Sequence, residues 1–443
     1  MEALIIAAGE GSRLSNVFSP KPLIPIFGLR LIERIIMVGK RAGIRDFKIV
    51  VGYKSTKIKQ TIGNGRKYGV NITYIENPEW KKGNGVSVLK AKDHFHGKFL
   101  LLMSDHLCDE VMIKKLLSTD IGFNRCKLCI DNNLTGEHFS IDDVTKIYYE
   151  ADKVKYIGKS LDNFNAIDTG VFLCTPAIFE ALEKSIKQGE YSLSAGNQIL
   201  AEQGKLETVD VTGCFWIDID NEEALQKAQD LLIKQLFKPT DGLISKVINR
   251  KISTRISTYL ARYNISPNLI TLASFIMSVL SAIFFFFGGY VNILSGGIMA
   301  QFSSILDGCD GEVARLKFRF CVFGEWLDRV LDRYADGLII LGMTHALWLS
   351  SGDEFVWLLG FLALIGTYMN SYTARIYDDL LKKKFVNKNS FRIGRDLRLF
   401  IIFLGSLFNE ILVALIIVFV ITNIESIRRI FILRNVHRIR STY

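Results

Sequence analysis

Asp307-Gly308-Cys309-Asp310-Gly311-Glu312-Val313-Ala314-Arg315 is followed after eight residues by Gly324, and then by Asp328 and Asp332. Spacings of three and four predict that the four carboxylates stack on the inner faces of two neighbouring helices, because such residues lie one above another on a helix. The flanking chain is apolar enough for a bilayer, where a charged side chain is costly unless it is paired or used. Four carboxylates with only arginines nearby imply bound divalent metal.

Outward from this stretch, six hydrophobic segments are expected at 268–287, 291–314, 324–350, 354–378, 394–409 and 410–433. About 20 apolar residues suffice to cross a bilayer, so each is near the required length, the fifth being short or tilted. Asp336 continues the acidic helical face and reads as lumen-facing or as support for the four aspartates. Just upstream, Leu243 to Arg250 and on through Arg255 and Arg262 alternates apolar and basic residues at helical spacing. That suits a helix lying along the cytoplasmic interface, with a soluble linker helix as the alternative. Residues 1–240 hold 32 Lys+Arg and 30 Asp+Glu, leaving 23 and 15 of the totals 55 and 45, so the net +10 divides into +2 and +8. The basic excess belongs to the apolar half, as expected of cytoplasmic membrane edges and not of a nucleic-acid-binding domain.

Residues 1–230 alternate short apolar strands with amphipathic helices, which predicts a parallel sheet covered on both faces. The expected strands are 3–6, 48–51, 71–74, 99–103, 127–130, 171–174 and 208–211. Residues 231–265 would form the linker and interfacial helix, and 266–443 the membrane domain. The chain opens without a basic stretch and reads as a first strand, not as a signal peptide. That strand ends in Gly9-Glu10-Gly11-Ser12-Arg13-Leu14, followed by Pro20-Lys21-Pro22. Glycines let backbone N–H groups approach a phosphate chain, and Arg13 and Lys21 add positive charge. The seven cysteines lack a framework spacing, and Cys126 and Cys129 read as half-buried thiols rather than a zinc site.

These motifs, with Ala42-Gly43-Ile44, Leu101-Leu102-Met103-Ser104-Asp105-His106 and Trp216-Ile217-Asp218-Ile219-Asp220, resemble the nucleotidyltransferase family that makes nucleotide-sugars and CDP-alcohols. The resemblance implies a Rossmann-like α/β domain in which Ala7, Ala8 and Gly9 contact base and sugar, with Gly11 in the phosphate loop. It further implies that Lys21 neutralises the α-phosphate, and that Asp105 and Asp220 hold magnesium. Both aspartates also read as caps of the helices after them. Glu76-Asn77-Pro78 and the segment around Gly85 look like the loop that closes on the base.

The second half carries D-x2-D-G-x2-A-R-x8-G-x3-D-x3-D without departure and resembles the CDP-alcohol phosphotransferase family, whose members exchange CMP for an alcohol. The resemblance implies an all-α domain of six transmembrane helices. Asp307, Asp310 and Asp328 would ligate magnesium, with manganese as substitute, and Asp332 would act as general base beside the second ion. Gly308 and Gly311 would leave room for the nucleotide and Arg315 would meet its phosphates. Asn268 and Thr271 belong to the entry of the first helix. It also implies a homodimer through the membrane helices.

A domain that makes an activated nucleotide-alcohol is thus joined to one that consumes a CDP-alcohol, so CTP is the expected nucleotide. Fusions in this order resemble the bifunctional family in which CTP and inositol 1-phosphate give CDP-inositol and pyrophosphate. CDP-inositol and a second inositol 1-phosphate then give phosphorylated di-myo-inositol phosphate, a compatible-solute precursor, and CMP. Arg375, Arg392, Arg395 and Arg398 are candidates for the acceptor phosphate, with positive-inside topology as their alternative. The expected place is the cell membrane, multi-pass, with the first domain cytoplasmic and small molecules and the bilayer as partners. Competing readings are transfer to a lipid acceptor and, in another class, a nucleotide-sensing transporter.

Overall fold

Apolar runs of five or six residues become the central strands of the first of two units, Met1–Leu232 and Ile233–Tyr443. The computed structural model describes residues 1–14, 18–135, 141, 143–237, 241–382 and 393–440. Nine strands form the main sheet: β1 Glu2–Ala7, β2 Asp46–Val51, β3 Asn71–Glu76, β4 Phe99–Met103, β5 Cys126–Asp131, β6 Lys146–Glu150, β7 Lys153–Gly158, β8 Ala166–Cys174 and β9 Leu206–Asp210. Their order is β3-β2-β1-β4-β8-β5-β9-β7-β6. In β1, Ala3, Leu4 and Ile5 are fully buried, as a strand covered on both faces requires.

The sheet is mixed, not parallel. β1 to β4 run parallel, but β8 is antiparallel to both β4 and β5, and β6 and β7 form an antiparallel pair at the edge. A doubly buried strand is the same apolar run in either direction, so periodicity could not reveal the reversal of β8. The β6–β7 turn is Ala151-Asp152, both at positive φ (47° and 61°), the tight hairpin geometry usually taken by Asn-Gly. Cys126 and Cys129 on β5 are fully buried, not half-buried.

The second unit is helical: α1 Pro267–Phe287, α2 Tyr290–Leu316, α3 Val322–Ser351, α4 Phe355–Lys382, α5 Arg395–Leu407 and α6 Ile411–Arg440. Ser266 caps α1 through its hydroxyl, with Pro267 at the first helical position where its missing N–H costs nothing. Three segments are long and apolar enough to cross a membrane by length and composition: Pro267–Phe287, Phe355–Ala374 and Ile411–Ile432. α1 packs on α2 and α3, α2 on α5, and α4 on α6. Close approach of α1 and α3 depends on Gly342, where a Cβ would meet the Ala282 carbonyl oxygen at 2.5 Å.

The helix Arg250–Leu260 packs on α2. Arg250, read as part of a basic interfacial face, turns inward, donates to Asp241 at 2.9 Å and pairs with the fully buried Glu312. A lone buried carboxylate is costly, so the partner of Glu312 is drawn from that face.

In the first unit, Glu33 fixes the start of the helix Leu31–Arg41. It accepts from the Arg30 backbone N–H at 2.8 Å and from the Tyr68 hydroxyl, with Lys67 at 3.3 Å. Burial pushes its carboxyl upward, but these donors outweigh it and hold the group below its ordinary value. A depressed folded-state pKa contributes stability above the unfolded value near 4.5, lost as pH falls through the folded value. Glu33→Gln should therefore destabilise the first unit by about 1.5 to 3 kcal/mol at neutral pH. The cost should shrink toward acid, measured as the difference in thermal midpoint between variant and parent across pH; a difference independent of pH would contradict this account.

Two candidate active sites

In the first unit a cavity of about 340 Å³ opens at the end of β1, lined by Gly9, Gly11, Lys21, Asp105, Asp218 and Asp220 among others. Gly11 has φ +67°, and a Cβ there would meet the Lys21 side chain at 2.5 Å. Glycine is required both for the turn and for the lysine beneath it. Lys21 opens a short turn between Pro20 and Pro22 and is 7% exposed. Its ammonium donates to Asp105 and to Asp220, each at 2.6 Å. Burial pulls Lys21 down, but Asp105, Asp220 and Asp218 outweigh it and raise it above the ordinary lysine value. Burial likewise pushes Asp105 up, and Lys21 and His106 bring it down to about 2.

Asp105 follows β4, and Asp220 follows the strand Trp216–Asp218, which pairs with His106–Cys108. Neither aspartate caps the helix after it. Asp109 accepts from Met112 N at 2.9 Å, and Asn221 accepts from Ala224 N at 2.8 Å. Half-exposed Arg13 reaches Asp220 at 3.5 Å and Asp143 at 3.3 Å. Ala7 and Ala8 are buried and do not line the cavity, and the Ala8 carbonyl accepts from Tyr53 N at 2.9 Å. Gly85 donates its N–H to the Tyr191 carbonyl at 3.0 Å.

Two residues absent from the expected set stand here. His106 Nε2 lies 3.3 Å from Asp218 and 3.9 Å from Asp105, while Nδ1 meets the Thr169 carbonyl at 3.0 Å. Burial lowers His106, but Asp218 and Asp105 raise it to about 10. Asp105, His106 and Asp218 lie with side-chain atoms within 4.8 Å of one another, a group that leaves out Asp220; with its ring protonated, His106 stands in it as a cation between carboxylates. The alternation of Trp216 to Asp220 could have shown Asp218 on the face of Asp220. Asp168, another cavity residue, is pushed by burial up to about 6 despite the opposing Gly170 N–H and His106.

In the second unit, α2 and α3 bring Asp307, Asp328 and Asp332 together with ligand atoms within 4.8 Å. At an effective dielectric of about 20, each such pair of charges would repel by about 3 to 4 kcal/mol. Arg395 at the start of α5 offsets this, lying 3.1 Å from Asp307, 2.7 Å from Asp332 and 3.0 Å from Asp336. Asp328 has a buried carboxylate oxygen without a hydrogen-bond partner, an acceptor that a cation would satisfy. Asp310 is turned to the Thr271 hydroxyl and the Gly311 N–H and stands outside this trio.

A cavity of about 270 Å³ joins Asp307, Asp310 and Asp328 to Asn268, Thr271, Gly308, Gly311 and Arg315. Arg315 donates to the Leu236 carbonyl at 3.2 Å, and its Nε is buried without a partner. Arg398 is buried, donating to Asp336 at 3.1 Å and to the Thr367 carbonyl at 3.0 Å. That engagement makes it a support for Asp336. Arg392 and the side chain of Arg375 lie outside the described residues.

Residues 2–122 match the Nucleotidyl transferase family and 264–425 the CDP-alcohol phosphatidyltransferase family. Over nearly the whole length the chain is similar to the Bifunctional IPC transferase and DIPP synthase of Aquifex aeolicus, 33% identical over 97% of each chain. The protein of the same name in Thermococcus kodakarensis is 34% identical over 84% of this chain and 81% of its own. The Archaetidylinositol phosphate synthase of Pyrococcus horikoshii is 31% identical over 40% of this chain and 88% of its own.

Asp328→Asn should weaken Mn2+ binding by the second unit about tenfold or more, equivalent to roughly 1.4 kcal/mol. Electron paramagnetic resonance titration in an Asp105→Ala background, which silences the first cluster, measures this directly; an unchanged titration would remove Asp328 from the ligands.

Proposed function

Because the chain belongs to the family of bifunctional IPC transferases and DIPP synthases, we propose that it makes CDP-inositol in its first unit and consumes it in its second. In the first reaction a phosphate oxygen of inositol 1-phosphate attacks the α-phosphorus of CTP and pyrophosphate leaves. In the second, a hydroxyl of another inositol 1-phosphate attacks the inositol-bearing phosphorus of CDP-inositol, CMP leaves, and phosphorylated di-myo-inositol phosphate forms. The observation that carries this reading is that similarity to the Aquifex aeolicus relative extends across both units, each holding a charge-balanced carboxylate cluster.

Joining two anions requires cations between them. In the first unit Lys21 and Arg13 supply fixed positive charge beneath the glycine-rich turn, and Ala7, Ala8, Gly9, Gly11 and Gly85 shape the nucleotide side. Magnesium, or manganese in its place, would be held by Asp105 and Asp220 there and by Asp307, Asp310, Asp328 and Asp332 in the second unit, supplying Lewis-acid neutralisation of the phosphoanhydride. Asp332 takes the proton of the attacking hydroxyl, and Arg395 meets the acceptor phosphate when it leaves the carboxylates it now bridges. Asn268, Thr271, Gly308, Gly311 and Arg315 line the place of CMP. We assign residues 1–230 to cytidylyl transfer, 231–265 to the linker and interfacial helix, and 266–443 to a six-span homodimeric domain, with the first unit on the cytoplasmic side.

Similarity of the second half to the Pyrococcus horikoshii protein favours a second reading, transfer to or from a lipid. A product that partitions into water supports the first reading and one that enters organic solvent the second. Asp332→Asn should lower CMP release by about 10²- to 10⁴-fold, the usual contribution of a positioned base, while pyrophosphate release from CTP persists. Asp105→Ala should do the reverse when CDP-inositol is supplied. Joint loss of both activities in either variant would contradict two separate sites.

A further inference from the structure

The bend in β8 has a consequence for substrate choice. Along β8, Asp168 pairs with Ile130 and Phe172 with Leu128, so four steps on one strand match two on the other and the residues between bulge outward. Bulges re-aim side chains and recur beside active sites. This one is fixed from three sides. Asp168 N donates to the Thr145 carbonyl at 2.9 Å, the Thr169 hydroxyl to the Cys129 carbonyl at 2.9 Å, and the Thr169 carbonyl meets His106. Gly170 sits at φ +77° against the His106 ring, where no Cβ would fit.

The outcome is a carboxylate set into the wall of the first cavity. One oxygen of Asp168 accepts the Gly170 N–H at 2.7 Å, which locks the side chain; the other accepts from no described residue. Lys159 lines the same cavity without pairing to it. β8 lies two strands from β1, with β4 between, so Asp168 stands about 9 to 10 Å across the sheet from the strand that carries the glycine-rich turn. On the cytidylyl-transfer reading, with the nucleotide's phosphates at the glycine-rich turn, that distance would set Asp168 on the side of the second substrate.

We propose that Asp168 is the specificity-determining residue for the alcohol, its free oxygen accepting hydrogen bonds from neighbouring hydroxyls of a cyclic polyol phosphate. An ionised carboxylate accepts from several donors and donates none, which matches adjacent hydroxyls. A site built to bind a hydroxyl discriminates strongly against a substrate lacking it, because an acceptor covered by the bound substrate is then left unpaired. The proposal rests on the cytidylyl-transfer reading and names the residue that recognises the polyol.

Asp168→Asn tests it, because the retained carbonyl oxygen still accepts from Gly170 and preserves the bulge, while the free oxygen becomes a donor. With myo-inositol 1-phosphate and CTP, the full chain carrying this change should lose about 10- to 100-fold in kcat/KM for the inositol phosphate, the loss appearing in its KM. The KM for CTP, the thermal midpoint and CMP release from supplied CDP-inositol should not move. Unaltered kinetics beside an active parent would overturn the role of Asp168 alone, as would an equal rise in the KM for CTP. A parent chain that releases no pyrophosphate with any polyol phosphate would refute the cytidylyl-transfer reading and the proposal with it.

Discussion

Carboxylates gathered within a few ångströms repel one another, and both units are organised around that repulsion. In the first, Lys21 stands between Asp105 and Asp220, and His106 between Asp105 and Asp218. In the second, Arg395 bridges Asp307 and Asp332 and continues to Asp336. Each cluster therefore carries its own cation among acceptors, one of which, an oxygen of Asp328, is buried and unpaired. Such a place is suited to a further cation and to the phosphates that come with it.

The scaffold around each cluster serves to hold these charges at fixed distances. Gly11 lets the chain pass over Lys21, and the two flanking prolines restrict the turn from which it projects. The short pairing of Trp216–Asp218 with His106–Cys108 ties two stretches over a hundred residues apart into one acidic wall. In the helical unit the same work falls to helix packing, with Arg398 bound to Asp336 and thereby steadying the acidic face of α3. Because the cost of taking buried ions out of water offsets most of what their pairing gains, these supports set geometry more than they add stability.

Much of this was legible in the chain because the informative residues are local. The spacing from Asp307 to Asp332 fits two helices whose inner faces meet, and the six hydrophobic segments coincide closely with six helices. The glycine-rich turn with Pro20-Lys21-Pro22 located the first cavity. What stayed hidden depends on contacts between distant residues. The direction of β8 cannot be read from an apolar run, nor the tight turn at Ala151-Asp152 from residues that rarely adopt it. Arg250 and Arg398 look like ordinary basic residues at membrane edges until Glu312 and Asp336 are seen beside them. Asp168 is one acidic residue among many until the bulge turns it into the cavity.

The central claim is that the acidic trio from α2 and α3 is a seat for divalent metal that Arg395 vacates when ion and substrate arrive. Anomalous diffraction from crystals of the full chain grown with Mn2+ and CDP-inositol measures this most directly. The account predicts an anomalous peak within bonding distance of Asp307, Asp328 and Asp332, with the Arg395 guanidinium displaced toward the acceptor side. Crystals with CDP-inositol bound but no peak among these carboxylates, and with Arg395 still bridging Asp307 and Asp332, would contradict it.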